Sequence, residues 1–244
     1  MKVKIFLLIL LVLPFVTKAE CGKNINQLKA EYQITIKKIT KQGVSAVDSK
    51  SIVFWRNGKE VAYQHINKNI TEIWNKVSNG RVRPVRYFDE YQHGIEYQPT
   101  ELERQDRGAS WQTKYQILSS NQLNQMKQVA KQGKGCEQTV EYRSQQEFPA
   151  GKLIWLSMYQ LPKYYDVKTA THLISWELKS LDTSSDVVKA FFKEKHSYKT
   201  TDFADIGDNE SDPFLIKMIN LGFVSEEVSE PTKAKQPDRH AHSH

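Results

Sequence analysis

Ile52-Val53-Phe54-Trp55-Arg56-Asn57-Gly58-Lys59-Glu60-Val61-Ala62-Tyr63-Gln64-His65 sets two runs of β-branched and aromatic residues on either side of one Asn-Gly pair. Asn-Gly between such runs is a strong short-range hairpin signal, because the primed turns need positive φ and those two residues tolerate it. A two-residue turn at Asn57-Gly58 predicts that Arg56 faces Lys59, Phe54 faces Val61 and Ile52 faces Tyr63, with the last two pairs apolar and on one side of the sheet. The same grammar recurs around Asn79-Gly80, where Ile70–Ser78 meets Arg81–Asp89. There Val77 is expected opposite Val82 and Trp74 opposite Val85. Pro84 argues for an edge position or a bulge in that strand.

Working outward, further strands are predicted at Tyr32–Thr40, Gly94–Gln98, Ser110–Leu118, Cys136–Ser144, Lys152–Gln160 and Thr171–Lys179. A short helix is expected at Asn24–Ala30. A second, over Asn121–Lys131, places Leu123, Met126, Val129 and Ala130 on one side and stops at Gly133. A third spans Ser184–Lys195 with Val187, Val188, Phe191 and Phe192. The last begins at Asp212-Pro213, an N-cap Asp followed by Pro at the first helical position, and ends at Gly222. The fold class is therefore α+β: an antiparallel meander, β-rich over 32–180, with helices packed on one face and a C-terminal helical segment over 183–222. One globular domain is expected over residues 20–222. This order of a leader, a hairpin-rich meander and covering helices resembles the half-barrel of periplasmic lipoprotein carriers over roughly residues 22–180. The resemblance implies a curved sheet.

The N-terminus is read as a secretory signal peptide of residues 1–19. Lys2 and Lys4 precede the apolar stretch Ile5–Val16, and Thr17-Lys18-Ala19 supplies a small-residue cleavage site. Twelve apolar residues at 1.5 Å each reach about 18 Å, too short for a bilayer core, so an integral membrane protein is not expected. Cleavage near Ala19 would deliver the chain to the periplasm or the exterior. It would also remove three lysines and lower the net charge from +7 to +4. The remaining basic residues are dispersed among acids, the densest group being Arg81, Arg83 and Arg86, so no nucleic-acid partner is expected.

In an oxidising compartment Cys21 and Cys136 are expected to pair as a disulfide. Closing so long a loop contributes up to about 4–5 kcal/mol in the chain-entropy treatment. No G-x-S-x-G, H-E-x-x-H or zinc-type cysteine spacing occurs, so no catalytic residue is assigned and an enzyme is not expected. The carboxylate-rich stretch Asp202–Asp212 lacks the spacing of a calcium loop. After residue 222 the chain is polar and reads as a disordered tail over 223–244. It ends in His240, His242 and His244, alternating imidazoles that suit Zn or Cu. No other cofactor is implied.

Aromatic residues concentrate in the predicted strands. Trp55, Tyr63, Trp74, Tyr87, Trp111 and Trp155 are the candidate walls of a site for a lipid or other apolar small molecule, since Trp and Tyr offer apolar area with a polar handle. Two roles follow from the sequence: an apolar-ligand binder or carrier, and a metal-handling or protein-interaction role for the His tail.

Overall fold

A computed structural model describes residues 21, 24–99, 101, 110–145, 150–206 and 211–221. The predicted signal peptide and the His tail lie outside the described residues. Among the described residues twelve strands form one sheet. The first meander runs through β1 (Gln27–Thr40), β2 (Gly43–Asn57), β3 (Glu60–His65), β4 (Ile70–Lys76), β5 (Val82–Phe88) and β6 (His93–Glu96). The chain then crosses by two short helices, α1 (Trp111–Gln116) and α2 (Ser120–Asn124), to the far edge. It returns through β7 (Met126–Gln132), β8 (Thr139–Ser144), β9 (Ala150–Leu156), β10 (Leu161–Lys168) and β11 (His172–Asp182), which pairs with β1. Helix α3 (Ser185–His196), β12 (Lys199–Asp202) and α4 (Pro213–Leu221) follow. The order across the sheet is β12-β6-β5-β4-β3-β2-β1-β11-β10-β9-β8-β7, and among the described residues every pairing is antiparallel except β12 with β6. The sheet is thus two meanders joined at β1 and β11, where one continuous meander was expected.

Both hairpins form, with different registers from those predicted. In the first, Asn57 pairs with Glu60, so the loop is Gly58-Lys59. Arg56 then faces Val61, Phe54 faces Tyr63 and Ile52 faces His65. Among the loop residues only Gly58 has positive φ, at 63°, as in a type II′ turn with glycine first. This register differs by two residues, so every side chain keeps its expected face. The second differs by one. A 3₁₀ turn over Ser78–Gly80 lengthens the loop, and Lys76 pairs with Val82, Trp74 with Pro84 and Ile73 with Val85. A one-residue slip reverses faces, and Trp74 and Val85 lie on opposite sides. Pro84 sits in an interior strand. Its partner on β6 would fall just beyond Glu96, and its carbonyl accepts from Tyr97 N at 3.1 Å.

Three expected elements change type. Asn24–Ala30 is a turn entering β1. Ser110–Leu118 is α1, because Ser110 Oγ caps Thr113 N at 3.2 Å. The apparent alternation of Trp111 and Tyr115 is equally one turn of helix, and their rings lie 5.5 Å apart. Asn121–Lys131 is mostly β7. The helix stops at Asn124, and the next residues pair with β8 around a bulge between Gln128 and Ala130. Strand β10 was not expected: the chain turns after Leu156 without a glycine, Gln160 taking the positive φ of 51°. The Asp212 cap forms as predicted, its Oδ1 accepting from Phe214 N at 2.9 Å.

Helices occupy both faces, a correction to the one-sided packing expected. On the outer face α3 lays Val188, Phe191 and Phe192 against Val53, Trp55, Ala62, Ile73, Val85 and Tyr87. The small Ala62 lies between Trp55 and Ile73 in one cross-strand row, and Phe191 stacks on Trp55 at 3.9 Å. The inner face carries the larger core, covered by residues of α1, α2 and α4, including Tyr115, Leu123 and Leu215. The sheet curls toward this side. Tyr32 on β1 donates through its hydroxyl to Pro162 O on β10, at 2.9 Å, although two strand spacings would put the backbones about 10 Å apart in a flat sheet.

Gly94 of β6 faces outward opposite Tyr87, whose ring would lie 2.7 Å from any added Cβ. That ring is itself held edge-on by Tyr198 at 5.8 Å. Gly94→Ala is expected to cost about 1–3 kcal/mol through forced repacking, read as a lower urea midpoint with unchanged slope. An unchanged midpoint would show that Tyr87 yields freely.

Candidate functional site

The inner face is ordered in rows running across the strands. One row holds Leu28, Arg56, Val61, Trp74 and Pro84. The next holds Ala30, Phe54, Tyr63, Glu72, Arg86 and Ile95, and a third runs Tyr32, Ile52, His65, Ile70, Phe88 and His93. Alternation along each strand puts these residues on one side. The surface is aromatic and aliphatic with a charged strip.

Arg56 is its most unusual member, at 0% exposure. Nη1 donates to Ile25 O at 3.1 Å and Tyr159 O at 2.8 Å; Nη2 donates to Tyr115 O at 2.5 Å and Gln160 O at 3.5 Å. The guanidinium lies 3.7 Å from the Tyr115 ring centroid. Burial pulls its pKa down to about 10, while the nearby tyrosines oppose the shift. It is still charged at neutral pH. The four carbonyls belong to the segment before β1, the end of α1 and the β9–β10 turn, so a single side chain ties three non-sheet segments to the inner face. Tyr63 adds a second tie by donating to Lys114 O at 2.8 Å. Just after α1, Ile117 takes φ 70° and ψ −30°, a strained conformation for a β-branched residue.

The charged strip centres on Glu72 and Arg86, whose guanidinium grips the carboxylate through Nε and Nη2, the former at 3.0 Å. Burial pushes Glu72 up, but Arg86, His65 and Lys114 together hold it below the ordinary carboxylate value. His65 lies on the same face, and burial lowers its pKa against the opposing pull of Glu72. Lys114 Nζ sits 3.6 Å from the Trp74 ring centroid, which links α1 to the sheet by a cation–π contact.

The six aromatic candidates divide. Tyr63, Trp74, Trp111 and Trp155 belong to the inner core. Trp55 and Tyr87 are on the outer face under α3, so the six do not line one site. The residues that sequence reasoning missed are Arg56, Glu72, Arg86 and His65. Periodicity alone placed Arg56 on the apolar face, and that conflict of charge with pattern was the available signal. Cys21 and Cys136 form the expected disulfide, across 115 residues of sequence. Beside it a cleft of about 650 Å³ is lined by Gln132, Glu137, Thr139, Tyr159, Lys163 and Thr183 among others. Among the described residues no group of three His, Cys, Asp or Glu is placed to hold a metal ion. Nor is any helix among them long and apolar enough to cross a membrane.

No family model matches the chain, and no curated protein matches its sequence. Among solved structures it is similar to an outer membrane lipoprotein-sorting protein domain from Vibrio parahaemolyticus. That match has 5% identity over 71% of this chain and 93% of the other, with a TM-score of 0.30. It is also similar to PNGF-II, at 8% identity and a TM-score of 0.33. This match covers 73% of this chain but only 33% of PNGF-II. At such scores no ligand or activity passes from either protein to this one.

Half-buried His65 and buried His93 give the fold a pH dependence of known sign. Burial lowers the pKa of both His65 and His93 from 6.5. The unfolded chain therefore binds more protons than the folded one below pH 6.5, and stability present above that value is lost as pH falls through the folded pKa values. The melting temperature is expected to drop between pH 7 and 5, and the double variant His65→Gln/His93→Gln to flatten that slope. Parallel pH profiles for the two proteins would refute the assignment.

Proposed function

We propose that the protein is a non-enzymatic binder or carrier of a lipid or other apolar molecule outside the cytoplasm, with the inner face of the sheet as its binding surface. The observation that carries this reading is the Arg56 clamp. A side chain needed only to fill a core would be apolar, because burying a guanidinium is costly unless every donor finds an acceptor. Arg56 instead grips backbone carbonyls of the segments that cover the inner face, and such bonds can be exchanged for water or ligand without unfolding the sheet.

The cover suits that role. Helices α1 and α2 have six and five residues, too short to be stable alone, so their position depends on the contacts they make. The inner core to which residues of these helices belong also includes Phe54, Val61, Trp74 and Ile95, the kind of wall that takes an apolar ligand. The disulfide agrees with an oxidising location.

Arg56→Lys shortens the clamp and removes its fork, and Tyr63→Phe removes one hydroxyl tie. Both should loosen the cover, so that Nile red binds each variant faster than it binds the parent and a long-chain lipid competes the dye away. Stopped-flow fluorescence with circular dichroism as the folding control reads this directly. Folded variants that take up no dye, beside a parent that takes up none, would overturn the carrier reading.

A further inference from the structure

Hydrogen-bonding capacity on the inner face is unbalanced in one direction. Among the described residues, two buried polar atoms in a single cross-strand row have no hydrogen-bond partner: Arg56 Nε and Trp74 Nε1. Both are donors. They belong to side chains at most 3% exposed and flank Val61, which pairs with Arg56 on one side and Trp74 on the other. Two strand spacings separate their backbones by about 10 Å. The ammonium of Lys114 lies against the Trp74 ring from above.

From this we infer that the inner face takes an amphiphile with an anionic oxygen in its head group, carboxylate or phosphate, seated over Val61 between Arg56 and Trp74. The inference rests on the carrier reading and adds the ligand's chemical class to it. The donors define that class. A buried N–H without an acceptor costs about 1–3 kcal/mol, and a hydrogen bond to a charged acceptor is among the stronger kinds. An apolar molecule alone would leave both N–H groups as they are, and a cationic head would meet Arg56 and Lys114. An anionic oxygen offers both donors an acceptor. The acyl chain would then run along Tyr63, Phe54 and Ala30, the apolar and aromatic part of the neighbouring row. The Glu72–Arg86 pair in the neighbouring row is internally satisfied by its two guanidinium contacts, so Glu72 does not present a bare carboxylate to the head group.

The test is displacement of Nile red from the folded full chain by palmitate, dodecyl phosphate and methyl palmitate, in the parent, Trp74→Phe and Lys114→Met. Trp74→Phe keeps the aromatic area and deletes only the indole donor. The anions should compete at least about tenfold more tightly than the neutral ester, and Trp74→Phe should lose roughly tenfold in anion competition, the equivalent of one charged hydrogen bond. Competition is read as the ratio of anion to ester within each variant, so a change in dye affinity cancels. Which anion competes better identifies the head group. Should Trp74→Phe fail to fold by circular dichroism, Lys114→Met carries the test with the same selective loss expected. Dye that binds and is displaced equally by ester and anions overturns this inference alone. A folded parent that binds neither dye nor amphiphile overturns the carrier reading, and this one with it.

Discussion

A guanidinium with no exposure to water has to find its acceptors inside the protein, and the position of Arg56 is where the rest of the inner face takes its bearings. Its strand fixes the Cα, and the pleat fixes the face. What remains free is the path of the chain outside the sheet, and the side chain sets that path by demanding carbonyls. The turn before β1, the last turn of α1 and the β9–β10 turn each supply one or more. These segments lie up to 104 residues from Arg56 in sequence, so none could be placed by local propensity. The cation also meets the Tyr115 carbonyl near the C-terminal end of α1, the end of a helix where positive charge is favoured.

The two faces of the first meander solve the same problem differently. Outside, α3 is long enough to bring a full apolar stripe, and the contact is direct: Phe191 on Trp55, Val188 and Phe192 against the strands. Its buried Lys195 is held by Asp89 at 3.0 Å and by Tyr198 and Glu194, which anchors the helix end. That is a closed interface, satisfied in both shape and charge. Inside, the cover consists of short helices held by ties to the backbone, with a strained residue at the exit of α1. Two-sided packing therefore gives the molecule an outer layer sealed by the apolar face of one helix and a larger inner core whose cover is tied down partly by polar contacts to the backbone.

The strands that could be read from sequence were those whose turns announce themselves. Asn57-Gly58 and Asn79-Gly80 located two hairpins, and the Asp212-Pro213 cap located a helix start. Register was legible only as far as loop length was, which is why Trp74 and Val85 were placed on the same face and lie on opposite ones. Where a turn lacks glycine, as at Ser157–Gln160, the chain reads straight through and β10 is lost. The six-residue window at Trp111–Gln116 fits period two and period 3.6 about equally well. The Ser110 cap decided it, and a serine is too common to decide it in advance. The edge strand β7 misled for a related reason: an edge needs lysines and a bulge to discourage pairing with other chains, and Lys127, Val129 and Lys131 in that arrangement imitate a helix.

The site was less legible than the fold because aromatic content marks strands without saying which face they serve. Trp55 and Trp74 look alike in sequence, yet one is sealed beneath α3 and the other lies under a lysine with its indole N–H unpaired. What separates them is the parity of position within the pairing, which only the register reveals. Once the rows are drawn, the informative residues are the polar ones that violate the apolar pattern: Arg56 among Leu28, Val61 and Trp74, and Glu72 with Arg86 between Tyr63 and Ile95. An apolar core gains nothing in packing from such residues and carries their desolvation cost. They group on the side covered by short helices, opposite a helix face sealed by stacked aromatics, so the two faces of one sheet differ in chemistry.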